Sequence, residues 1–302
     1  MSKHYLAVDL GAESGRVMLG TVDEESLELE ELHRFANLPL EQGDALTWDL
    51  DTLFREIKEG LVKAGGLGLA IDAVSVDSWG VDYVLLDESG TIMPPAYHYR
   101  DGRNKAAAEE LLERISWEEV YGETGLQFIA FNTLFQLAAE NPDRLQAASL
   151  ILPIADAFNH LLCGVAKTEL SIASTTQLYD PRNRRWSSRL LDALGVSETK
   201  LPKIVPSGTI LGTLLPDIAK ETGLECIEVV AGLSHDTGAA VAAVPVTGET
   251  GHWAFLSSGT WSLIGMELDE PLINERSRTL NFTNENRVPT FEKLFVSYVD
   301  HE

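Results

Sequence analysis

The chain has 302 residues, 44% hydrophobic and 23% charged, which is enough for one large or two modest domains with buried cores. Its 47 acidic and 23 basic residues leave a net charge of −24, which argues against nucleic acid as a partner because phosphate neutralisation needs clustered Lys and Arg. No apolar run is long enough to span a bilayer, and Met1-Ser2-Lys3-His4 opens without the charged and apolar regions of a secretion signal, so a cytoplasmic protein with no membrane partner is expected.

Residues 4–9, 15–23 and 26–35 read as three strands, the last two joined by a turn at Glu24-Glu25. An amphipathic helix follows near 50–64, where Leu50, Leu53, Phe54, Ile57 and Leu61 recur at helical spacing and Asp49 or Asp51 stands ready as a cap. Strands are expected again at 71–77 and 81–86. The stretch 102–195 reads as mainly helical, with helices at 104–115, 133–139 and 154–163 and a polar loop at 180–185. Strands return at 226–231 and 253–257, separated by a helix of small residues at 238–243. The far-separated Cys163 and Cys226 sit in no metal-ligand spacing and are expected to be buried free thiols. Three strands, a helix and a further strand open an α/β domain of the ribonuclease-H-like (actin-like ATPase) kind, with helical insertions.

Four segments carry candidate chemistry. Asp9-Leu10-Gly11-Ala12-Glu13-Ser14-Gly15-Arg16 lies between two strands. Its glycines permit a tight turn whose backbone N–H groups could face phosphate, and Asp9 could hold a hydrated Mg²⁺; an ordinary hairpin with a capping Asp fits equally. Ser75-Val76-Asp77-Ser78-Trp79-Gly80-Val81-Asp82 offers an aromatic face and carboxylates. Trp79 and Asp82 suit a sugar ring and its hydroxyls, or else a core indole beside solvated acids. Gly232-Leu233-Ser234-His235-Asp236-Thr237-Gly238 could supply a general base for phosphoryl transfer in Asp236, or merely a helix cap. Leu256-Ser257-Ser258-Gly259-Thr260-Trp261-Ser262 could contact phosphate through its hydroxyls or form a plain turn.

In this order the segments resemble the FGGY carbohydrate kinases. VDLGAESGRVML, VDSWGVDYVLLD, GLQFIAFNTLFQL, ASTTQLYD, SHDTGAAV and FLSSGTWSLIG are most similar to the rhamnulokinase branch, from about residue 4 to about residue 285. The resemblance implies a two-domain actin-like architecture that phosphorylates L-rhamnulose, a ketose, at its 1-hydroxyl with ATP and Mg²⁺. It implies Asp236 as catalytic base, with His235, Asp236, Thr237 and Gly80 on the sugar. Ala12, Glu13, Ser14, Gly15, Arg16 and Thr260 would face the ATP phosphates. Residues 1–245 would form the sugar-binding N-terminal domain and 246–302 the start of a second, cut short, with a tail from 286 that does not match the family. Members of the family are longer, and their glycine-rich adenosine loop has no counterpart here. A working ketose kinase and a catalytically incompetent sugar-binding fragment are therefore both expected possibilities.

Overall fold

The structure is a computed structural model and describes residues 2–245, 253–258, 262–286 and 294–299. In β1 (Lys3–Leu10) every second residue turns inward, so Leu6, Val8 and Leu10 are buried between less buried neighbours. It pairs antiparallel with β2 (Ser14–Val22), which pairs antiparallel with β3 (Leu27–Ala36). Asp23 ties the turn between β2 and β3, its carboxylate accepting from the N–H groups of Glu25 and Ser26.

The helix predicted near 50–64 is α1 (Leu50–Gly65), capped by Asp49, whose side chain accepts from the Thr52 N–H. Its Leu53, Ile57 and Leu61, four residues apart, are buried on the sheet, each contributing about 1.5–3 kcal/mol by leaving water. Gly60 permits this close seat, because a β-carbon there would lie 2.3 Å from a Val17 methyl.

The central sheet runs in the order Thr209–Thr213, Glu228–Ala231, Ala73–Ser78, β1, β2, β3. Ala73–Ser78 is parallel to β1, and Glu228–Ala231 is parallel to Ala73–Ser78. Two antiparallel strands beside parallel ones make the ribonuclease-H-like arrangement that the sequence predicts. The carboxyl ends of β1, Ala73–Ser78 and Glu228–Ala231 open on one edge, where ligands of α/β sheets bind.

The helical insertion builds a second core. Arg103–Leu112, Trp117–Thr124, Thr133–Ala138 and Ser188–Leu194 bury Leu111, Val120, Leu134, Phe135 and Leu190 together. Beyond the helix Asp236–Ala242, a second sheet orders Ala254–Ser258, Ser262–Leu268, Leu294–Val299 and Thr283–Asn286. Part of the tail after 286 is thus a paired strand.

Some boundaries differ from expectation. The strand expected at 81–86 begins at Tyr83, because Val81 takes a left-handed φ of 68° inside a tight turn closed by the Asp82 N–H on the Gly80 carbonyl. The loop at 180–185 holds a small hairpin, Tyr179–Asp180 with Arg185–Trp186. The helix expected at 238–243 starts at Asp236. Cys163 is buried as expected, but Cys226 is exposed.

Candidate functional site

The sheet register places Asp9 opposite Arg16 on one side and opposite Asp77 on the other. Arg16 donates from Nε to Asp9 at 2.7 Å. Among the described residues Asp77 makes no ion pair of that kind. Burial raises its pKa well above the carboxylate range, and the charges of Asp9 and Asp236 raise it further against the pull of Arg16 and His235.

After β1 the chain turns sharply, the Gly11 N–H donating to the Ser14 carbonyl at 2.9 Å. Asn37, just past β3 and buried, braces the turn from behind. Its side-chain amide donates to the Gly11 carbonyl at 2.9 Å and its backbone N–H to the Glu13 carbonyl at 3.0 Å. Ala12, Glu13 and Ser14 are thereby held against a cavity of about 480 Å³.

An aromatic stack forms a second wall. The ring centroids of Trp48 and Trp79 lie 4.2 Å apart, those of Trp48 and His98 4.1 Å, and those of His98 and Tyr99 4.4 Å. Asp82 locks the stack from the buried side. Its carboxylate accepts from Trp48 Nε1 (2.6 Å), Trp79 Nε1 (3.0 Å), Gln136 Nε2 (2.7 Å) and the Tyr99 N–H (3.2 Å). Burial pushes its pKa up to about 6 against the opposing effect of these donors. Gly80 sits close against Thr175, whose side chain would lie 3.0 Å from a β-carbon there. The strained Val81 that follows is held by three bonds: its N–H donates to Thr175 Oγ1, and its carbonyl accepts from Thr133 Oγ1 and Gln136 Nε2.

The third wall is the turn after Glu228–Ala231. His235 is the residue before the helix and Asp236 its first. His235 Nδ1 lies 3.1 Å from Glu285 Oε2, and Nε2 lies 3.5 Å from Asp236 Oδ1. Burial opposes the imidazolium, but Glu285, Asp236 and Glu169 outweigh it and push the pKa up to about 9. His235 is therefore a cation at neutral pH. Asp236 is raised by burial and by Asp9, while His235 and the Thr237 donors oppose that rise. Its Oδ1 accepts from the Thr237 N–H at 2.5 Å and hydroxyl at 3.2 Å. A basic carboxylate beside a fixed cation, open to a cavity, is the arrangement of a general base.

Ala12, Glu13, Ser14, Trp79, Gly80, His235, Asp236 and Thr237 all line the one cavity. Of the remaining expected residues, Asp9, Gly15, Arg16 and Asp82 stand outside its lining. Gly15 packs on the Phe35 ring, Arg16 is bound to Asp9, and Asp82 lies behind the aromatic wall. Thr260 lies outside the described residues. Among the described residues, no three acidic, His or Cys side chains converge closely enough to grip a metal directly. Trp48, Asn37, His98 and Glu285 went unrecognised in the sequence, each arriving from a segment without a motif of its own, while Asp77 lay inside the 75–82 segment but was given no role. No helix among the described residues is long and apolar enough to cross a membrane.

Residues 4–243 match the model of the N-terminal domain of the FGGY family of carbohydrate kinases. The chain is 44% identical over 291 residues to a rhamnulokinase of Bacteroides thetaiotaomicron, covering 95% of this chain and 60% of that protein. It is 41% identical over 282 residues to a rhamnulokinase of Enterococcus faecalis, covering 93% and 57%. The chain thus spans about three fifths of the length of these curated relatives. Among solved structures it superposes on a gluconate kinase from Lactobacillus acidophilus with a TM-score of 0.84 at 16% identity, covering 98% of this chain and 59% of that one. A Plasmodium falciparum glycerol kinase with ADP superposes with a TM-score of 0.81 at 15% identity, covering 98% and 61%. At these identities the structures speak for the fold alone.

Proposed function

The chain belongs to the FGGY family of carbohydrate kinases, and from that premise we propose that it phosphorylates a ketose, L-rhamnulose at its 1-hydroxyl, with ATP. The observation that carries this reading is Asp236, a partly exposed carboxylate of raised pKa facing the cavity between the aromatic wall and the residue 11–14 turn. The names of the curated relatives support the choice of sugar.

In the proposed mechanism the ketose lies against Trp79 and Gly80, with His235 and Thr237 at its hydroxyls. Asp236 takes the proton of the 1-hydroxyl as its oxygen attacks the γ-phosphorus. The bond to the β–γ bridging oxygen breaks and ADP leaves. His235, cationic up to about pH 9, keeps Asp236 ionised and ready. Ala12, Glu13, Ser14 and Gly15 offer backbone to the phosphates, with Arg16 and Thr260 assigned the same task.

Asp9 is the proposed holder of Mg²⁺. The surplus of carboxylate around Asp9 and Asp77 suits a hydrated, oxygen-seeking cation better than directly ligated metal. When bound, Mg²⁺ supplies positive charge against the transferring phosphoryl group. Residues 1–245 are the proposed sugar-binding domain and 246–302 the opening of a second, and the proposed place of work is the cytoplasm.

A second reading, a sugar-binding fragment without turnover, is favoured by the Ala254–Ser258 and Ser262–Leu268 strands, which leave Leu256, Ile264 and Met266 exposed. A coupled assay of ATP consumption with L-rhamnulose, run beside Asp236→Ala, decides between them. Turnover abolished by the substitution supports the kinase. Absence of turnover in the unaltered chain, with sugar binding seen by calorimetry, supports the fragment.

A further inference from the structure

The turn that bears Asp236 is held from beneath by a carboxylate that does not reach the cavity. Glu169 is fully buried ahead of the helix Leu170–Thr175. Its Oε2 accepts from the N–H groups of Ser171 at 2.8 Å, Ile172 at 3.3 Å and Ser234 at 3.1 Å, and from the Ser171 hydroxyl. Its Oε1 accepts from the Ser207 hydroxyl. Ser171 Oγ in turn accepts from the His235 N–H at 3.1 Å. Residues 234 and 235 are thus pinned in succession, one by Glu169 directly and the next through Ser171. On the far side the Ser78 N–H donates to the Ser234 carbonyl at 2.9 Å, fastening the same residue to the sugar-side strand.

Capping a six-residue helix explains the bonds from Ser171 and Ile172. It does not explain those from Ser207 and Ser234, which belong to other segments. Every partner of the carboxylate is a donor, which suits the ionised form. Burial works against that form, and the Glu169 charge in turn raises the pKa of buried Asp156, which accepts from the Glu169 N–H. A buried charge kept at such a cost and spent on two segments points beyond capping.

We propose that Glu169 is a positioning residue for the phosphoryl-transfer base, fixing residues 234 and 235 so that Asp236 meets the attacking hydroxyl. This rests on the reading of Asp236 as the base. The test uses the 302-residue chain with Glu169→Gln and, as a milder change that retains the carboxylate, Ser171→Ala. Amide hydrogen exchange and ketose-dependent ATP turnover are both measured. The expected result is exchange at His235 faster by about tenfold in both variants, and at Ser234 in Glu169→Gln, with β1 and α1 unchanged. Alongside it, kcat falls by about 10–100-fold while KM for the ketose rises by no more than about threefold, because only the His235 contact loosens and Trp79 and Gly80 still hold the sugar.

Unchanged exchange at His235 in Ser171→Ala overturns the proposal. So does loosening spread equally over β1 and α1, or a KM that rises in step with the fall in kcat. An unaltered chain with no turnover removes the kinase reading, and Glu169 then loses its assigned purpose even if exchange shows that it holds the turn.

Discussion

Two turns follow neighbouring parallel strands, and each presents an aspartate, the first buried and the second with its side chain 33% exposed. Asp82 trails Ala73–Ser78, and Asp236 trails Glu228–Ala231. Burial raises the pKa of both carboxyls. Their surroundings differ in donors. Asp82 is gripped by two indoles, an amide and a backbone N–H, whereas Asp236 takes hydrogen bonds from Thr237 beside a cation 3.5 Å away. A raised pKa alone therefore does not separate a scaffold carboxylate from a reactive one. The count of donors and the access to a cavity do, because an acceptor already saturated has no lone pair free for a substrate proton.

The sharpest test of the contrast is Asp236→Asn. It should lower turnover by about 10²–10⁴-fold while changing unfolding free energy by less than about 1 kcal/mol, read from kinetics and urea denaturation. Asp82→Ala should do the reverse in stability. It strips the acceptor from several buried donors at once, so a loss of about 3–5 kcal/mol is expected in denaturant unfolding. Equal stability losses in the two variants would break the comparison.

Gly80→Ala should cost about 1–3 kcal/mol by forcing a methyl against Thr175, with weakened ketose binding by calorimetry. An effect of similar size comes from pH. His235 has a folded pKa raised from an ordinary 6.5 to about 9, so its contribution is complete below 6.5 and is lost as pH rises through 9. Unfolding free energy should fall by about 1–3 kcal/mol across that window, and Glu285→Gln should flatten the slope.

The sheet and α1 were readable because their apolar spacing repeats: Leu6, Val8 and Leu10 by twos, and Leu53, Ile57 and Leu61 by fours. The aspartates of the site were readable because each sits in a compact motif at a strand end. What could not be read is what converges from afar. Asn37, Glu169 and Glu285 are single polar residues whose roles exist only once 26, 65 and 50 residues of intervening chain have folded back. The role of Asp82 was misjudged for the same reason, since Trp48 and Gln136 lie 34 and 54 positions away. A motif tells which group is present, but the partners that occupy it are a tertiary matter.

The docking of Thr283–Asn286 has a consequence in time. That strand is fastened to the insertion by the Asn284 side chain on the Gly125 carbonyl, 159 positions apart in the chain, and by the Gln127 N–H on Thr283 Oγ1. During synthesis residue 285 leaves the ribosome fifty residues after residue 235, and domains fold as their chain emerges. Until the strand arrives, His235 lacks Glu285, the strongest of the groups that raise its pKa. The proton on that imidazole is thus a clock for assembly, held less firmly while the chain is young and secured once the strand bearing Glu285 has docked.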